Sequence, residues 1–129
     1  MKIPWIRCGD GKLRPLIRCG FRRAGQPAPP DQLLLLDTGA DTTVLPLPMA
    51  ELFGLSSSDL EKKESNALGG KAAVWLPREG PQFEVEIGGR WLSLQVLFAE
   101  NTPPLLGRDV VFANFKIRME DGETELRPR

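Results

Sequence analysis

Short apolar or alternating runs, most of them closed by glycine or proline, fill this chain from end to end. Strands need that pattern, because successive side chains point to opposite faces and the turn residues reverse the chain between runs. Ile3–Cys8 and Leu13–Cys19 are predicted strands joined through Gly9-Asp10-Gly11. A two-residue turn centred on Asp10-Gly11 sets Cys8 opposite Leu13. Residues 22–32 form a predicted loop, since prolines cannot join a ladder. Leu33–Leu36 is the longest purely apolar run and suits a strand buried on both faces. Thr43–Leu45 resumes extended structure. Pro48 fits the first turn of a short helix that runs to Phe53 and stops at Gly54.

Ser56–Lys63 is polar and reads as loop or edge strand, and Leu60–Ala67 and Ala72–Leu76 flank a hairpin tip at Gly69-Gly70. The clearest hairpin turns at Gly88-Gly89. It pairs Val85 with Leu92 and Phe83 with Leu94 on one face, with Glu84 and Glu86 on the other. Gly107–Phe112 suits one or two helical turns. A last hairpin, at about 115–127, turns at Asp121-Gly122 and opposes Ile117 to Leu126 and Arg118 to Glu125. So many short strands predict an all-β barrel or sandwich, read as a single domain over 1–129.

Composition narrows the chemistry. The 129 residues include no histidine, which excludes Ser-His-Asp and Cys-His catalysis and histidine-ligated zinc. Charge balances at 17 against 17, so neither nucleic acid nor membrane is an expected partner. Residues 1–23 nevertheless carry seven positive charges against Asp10 alone, which reads as a basic hairpin lying on an acidic body or an arm for an acidic partner. No signal-peptide run opens the chain. The two cysteines are expected as free thiols in a reducing, cytoplasmic setting.

Asp37 ends the buried run and is followed by Thr38, Gly39, Ala40 and Asp41. A carboxylate there is costly unless it is hydrogen-bonded or deliberately perturbed. Gly39 lets the backbone turn so that amides approach the carboxylate, and Thr38 adds a hydroxyl. An ordinary strand-ending turn uses the same residues. A phosphotransferase nucleophile of the haloacid-dehalogenase type is a poor fit, because Gly39 stands where that chemistry wants a second aspartate.

The segment LLLLDTGADTTVLP (33–46) resembles the active-site segment of retropepsins, the aspartic proteases of retroviral type. PLLGRDVV (104–111) resembles that family's Gly-Arg-Asp/Asn segment, with Gly107 seventy residues after Asp37. NALGGKAAVW (66–75) stands where the family carries its flap. Three elements in order are far more specific than one tripeptide. The resemblance implies a closed acid-protease barrel with one or two short helices. It implies Asp37 as catalytic carboxylate, Thr38 as its brace across the pair and Gly39 as amide donor. Ala40, Asp41, Leu68, Gly69 and Gly70 would bind substrate, and Gly107 and Arg108 would support the loop, Arg108 by pairing with Asp41. No metal or cofactor is implied.

Such a mechanism needs two aspartates, and Asp10, Asp31, Asp59, Asp109 and Asp121 all lack the Thr/Ser-Gly that should follow. The expectation is a two-fold homodimer that cleaves peptide or protein substrates. The other reading is a retropepsin-like dimerisation or peptide-binding module with little turnover. The twenty residues after Asp109 depart from the viral pattern of interleaved terminal strands and suit cellular or bacterial relatives better. Trp75, Leu76 and the apolar residues near Val44 are candidates for pocket walls and equally for core.

Overall fold

A break at Trp5 divides the first predicted strand into β1 (Lys2–Pro4) and β2 (Ile6–Arg7) in the computed structural model, which describes residues 1–65, 71–78, 80 and 82–129. β2 pairs with β3 (Leu13–Arg14), Arg7 opposite Leu13. The expected Cys8–Leu13 pairing is therefore off by one residue. The turn holds three residues instead of two, closed by the Cys8 N–H donating to Lys12 O at 2.9 Å. Gly11 takes φ +82°, the left-handed position that such a loop requires. Asp10 fixes the loop by accepting the Lys12 N–H at 3.1 Å and the Arg14 guanidinium at 2.8 and 2.6 Å.

Pro15 interrupts the second predicted strand, and β4 (Leu16–Arg23) then runs past Cys19. Its last residues pair with Glu84 and Phe83, so the irregular loop covers 24–31 and not 22–32. β5 (Gln32–Leu36) and β6 (Thr43–Pro46) follow. The expected short helix is a 3-10 helix, Leu47–Phe53, stopped by Gly54 at φ +70°. A second 3-10 turn, Ser57–Asp59, carries a capping box with Ser56 and splits the polar stretch from β7 (Leu60–Ser65). β8 (Ala72–Pro77) pairs with β7. Leu68, Gly69 and Gly70, the expected flap tip, lie outside the described residues.

β9 (Phe83–Ile87) and β10 (Arg90–Leu94) form the Gly88-Gly89 hairpin in the expected register, Val85 opposite Leu92 and Phe83 opposite Leu94. Glu84 takes the other face, where it accepts Arg22 Nε at 2.9 Å. β11 (Val96–Ala99) and the two-residue β12 (Leu105–Leu106) lead to α1 (Arg108–Asn114). The tail is the expected hairpin, β13 (Phe115–Glu120) and β14 (Glu123–Pro128), with Ile117 opposite Leu126 and Arg118 opposite Glu125. β1 adds to it in the order β1-β14-β13. The Trp5 indole ties that sheet to the first hairpin by donating to the buried Thr124 hydroxyl at 2.9 Å. Lys2–Glu125 at 3.9 Å and Arg22–Glu84 at 2.9 Å bring part of the basic N-terminal segment onto acidic partners.

Nine strands form the principal sheet, ordered β10-β9-β4-β5-β12-β6-β11-β8-β7. The fold is all-β with short helical segments, as expected. Its core gathers Phe21, Phe53, Phe83 and Phe98, whose rings meet edge-on or tilted with centroids 5.2–6.4 Å apart. Burying each such side chain contributes about 1.5–3 kcal/mol. Leu33–Leu36 is not buried on both faces throughout. Leu34 and Leu36 enter the core, Leu35 packs on a smaller cluster around Val44, and Leu33 is 37% exposed. Strand alternation explains this: Leu34 and Leu36 point into the main core, and of Leu33 and Leu35 on the other face only Leu35 meets the Val44 cluster. Cys8 and Cys19 are both free; burial pushes the Cys19 thiol up to about 12.

Candidate active site

β12 slides between β5 and β6, parallel to the first and antiparallel to the second. That insertion fixes the end of β5. The Asp37 N–H donates to Leu106 O at 3.1 Å, and Leu35 and Leu36 donate to Pro104 O and Pro15 O, each at 2.9 Å. The chain then turns tightly, with the Ala40 N–H reaching Asp37 O at 3.2 Å. The turn aims the Gly39 N–H back at the Asp37 carboxylate, 2.9 Å from Oδ1. A Cβ on Gly39 would stand 3.3 Å from the same oxygen, so glycine keeps the amide's approach open.

Thr38 and Gly39 are exposed and Asp37 half-buried, so the carboxylate opens to one side while its backbone is anchored from behind. The Thr38 hydroxyl has no hydrogen-bond partner among the described residues. Ala40 O accepts the Arg108 N–H at 2.8 Å, tying the loop to the start of α1. The Arg108 guanidinium also pairs with Asp41, as expected. Asp41 is 81% exposed and Arg108 45%, so the ion pair orients the loop more than it stabilises the fold.

Two residues outside the expected set complete this support. Thr43, fully buried on β6, accepts the Gly107 N–H at 3.1 Å and donates its hydroxyl to Asp109 Oδ1 at 3.1 Å. Burial raises the Asp109 carboxyl above the usual carboxylate range, and the hydrogen bonds from Thr43 oppose that rise. Nothing local marks Thr43, since a threonine in a strand is ordinary and its partners stand more than sixty residues away. Gly107 has a steric reason to be glycine: a Cβ there would lie 2.5 Å from the Thr42 carbonyl carbon and 2.7 Å from its oxygen.

The structure thus brings together Asp37, Thr38, Gly39, Ala40, Asp41, Gly107 and Arg108, and the expected contacts of Leu68, Gly69 and Gly70 fall outside the described residues. Val44 belongs to a small buried cluster, and Trp75 packs against the main core with the Lys62 ammonium 5.5 Å from its ring centre. Among the described residues no helix is long and apolar enough to cross a membrane.

Residues 25–110 match a protein-family model described as aspartyl protease. No curated protein matches the chain significantly in sequence. Among solved structures, a retropepsin-like aspartic protease from Rickettsia conorii superposes with a TM-score of 0.65 at 20% identity, covering 98% of this chain and 90% of that one. The EIAV protease, solved with the inhibitor HBY-793, superposes with a TM-score of 0.53 at 22% identity over 81% of this chain and 89% of its own. Those similarities establish a retropepsin-like fold. The family match takes in both Asp37 and Gly107-Arg108-Asp109, and the chain belongs to the aspartyl protease family.

Proposed function

We propose that this protein is an aspartic endopeptidase whose catalytic pair is Asp37 from each of two copies of the chain, meeting on a two-fold axis. The observation that carries the reading is the setting of Asp37: a carboxylate open to one side, anchored by Leu106 and holding the Gly39 amide 2.9 Å away. Each copy acts as one retropepsin-like domain over 1–129 and supplies half of the site.

Two carboxylates a few ångströms apart cannot both ionise, so such a pair holds one proton between them, as is general for aspartic proteases. The ionised Asp37 takes a proton from water as that water attacks the scissile carbonyl. Its protonated counterpart gives its proton to the developing oxyanion and recovers it as the C–N bond breaks, while the first Asp37 passes the proton taken from water to the leaving amine. Gly39 contributes its amide to the carboxylate in each half. Thr38, exposed and without a hydrogen-bond partner among the described residues, braces one loop against the other. Ala40, Asp41, Leu68, Gly69 and Gly70 bind the peptide, and Gly107 and Arg108 hold the loop in place.

The test is incubation with a peptide library at several acidic pH values, beside an Asp37→Asn variant shown to fold by thermal unfolding. Cleavage confined to the unaltered protein is the expected result. Cleavage that survives the substitution rules out the dyad, and peptide binding without cleavage by either protein favours a recognition module.

A further inference from the structure

On the far side of the Asp41–Arg108 pair from Asp37 in sequence, an open cavity of about 620 Å³ runs between Thr42, the end of β8 and the β10–β11 turn. Asp37 is not among its lining residues. Leu76, Leu94 and Leu97 give it an apolar wall, and Thr42, Ser93 and Asp109 give it polar points. Asp109 is the one ionisable group among the described residues that line it.

Asp109 has an ordinary structural role as well. It sits in the first turn of α1, where negative charge is favoured, and takes the Thr43 hydroxyl on Oδ1. Backbone N–H groups of Thr43 and Val110 donate to the carboxyl as well, but these donors are neutral, and no lysine or arginine among the described residues forms an ion pair with the carboxylate. The neighbouring Arg108 is committed to Asp41. The carboxyl is already partly withdrawn from water, and its raised tendency to hold a proton reflects that. A cation brought to the same place would relieve the charge as a proton does.

We propose that this cavity binds a cationic head on an apolar stem, the shape of a lysine side chain or a small alkylamine, with Asp109 meeting the ammonium and Leu76, Leu94 and Leu97 covering the stem. A neutral stem fills the apolar wall but leaves the carboxylate unpaired. An anionic ligand meets the carboxylate as a like charge. The selectivity therefore follows from a single acidic group set in a predominantly apolar surface. It is independent of any chemistry at Asp37.

The test uses the full chain, labelled with nitrogen-15, titrated separately with hexylammonium and with 1-hexanol. Amide shifts at Ser93, Leu94 and Leu97 are expected with both, and hexylammonium should bind about fivefold more tightly, as a partly exposed ion pair allows. Asp109→Asn keeps an oxygen for Thr43, so it should erase the preference and leave hexanol binding intact. Leu94→Trp should weaken both probes by filling the mouth. Equal binding of the two probes to the unaltered protein overturns the proposal, whatever the variants do. A preference that persists in Asp109→Asn also overturns it. So do the same shifts on raising protein concentration alone, which would assign the cavity to a second copy. N-acetyl-lysine amide decides the source of the cation. Binding as tight as hexylammonium supports a peptide side chain in the site, and weaker binding supports a free amine there.

Discussion

Gly107 presses its α-carbon against the Thr42 backbone with no room for a methyl group: the added Cβ would lie 2.5 Å from a carbonyl carbon. Because the obstruction is backbone, the loop must move as a unit to admit it. Gly107→Ala should therefore destabilise the protein by about 1–3 kcal/mol, visible as a lowered Tm, and should shift the loop amides of Gly39 and Ala40. Thr43→Val removes the acceptor for the Gly107 N–H and the hydroxyl that Asp109 receives. One buried amide left without a partner costs about 1–3 kcal/mol, read as a lower urea midpoint at unchanged slope. Charge is testable at the same scale on Asp10, whose carboxyl the Arg14 guanidinium and the Lys12 amide lower to about 2. A carboxyl depressed on folding contributes stability that is present above its unfolded value of 3.8 and is lost as pH falls toward 2. NMR titration should put the Asp10 midpoint near 2, and Arg14→Gln should return it toward the ordinary range.

Elements with local partners were the ones legible in the sequence. The β9–β10 and β13–β14 hairpins declare themselves through a glycine turn and a face-matched register, and both registers hold. The first hairpin misled by one residue because Gly11 at φ +82° makes a three-residue loop that shares its sequence signal with a two-residue one. Leu33 is the other instructive case. Four leucines in a row carry no period, so only the packing on each face of β5 decides which of them stays in water. A two-residue strand such as β12 has no pattern of its own. The resemblance at 104–111 marked the segment and Asp109, but its insertion between β5 and β6 and the Thr43 contacts that tie it down stayed hidden. Trp5 sets a test at this scale. Trp5→Phe keeps the ring but leaves the buried Thr124 hydroxyl without its donor, which should cost about 1 kcal/mol in urea unfolding.

For the whole molecule, the decisive quantity is how many copies make one site. If the catalytic pair takes one Asp37 from each of two chains, activity cannot be proportional to protein concentration at high dilution. Below the dimer's dissociation constant, the initial rate should rise with the square of total protein, and sedimentation should show the dimer appear over the same range. A rate that stays linear down to the monomer would end that reading. Removing the repulsion between the two carboxylates by Asp37→Asn should raise, or leave unchanged, the Tm at a concentration where the dimer dominates. The tail favours a contact distinct from interleaved termini, since its last strand, β14, is already paired on both sides within the chain, by β1 and β13.

The two residues of β12 also impose an order in time. A ribosome that has made residues 1–101 has made Asp37 and every residue of its loop. It has made none of Pro104, Leu106 and Arg108, whose backbone groups hold that loop from behind. Contacts of such sequence separation form late, because the chain between them must be drawn together first. The Asp37 loop is thus held in place only by residues made some seventy positions later, and a product cut before Pro104 lacks those contacts. On the proposed reading, the fold withholds the half-site until residues 104–108 have been made.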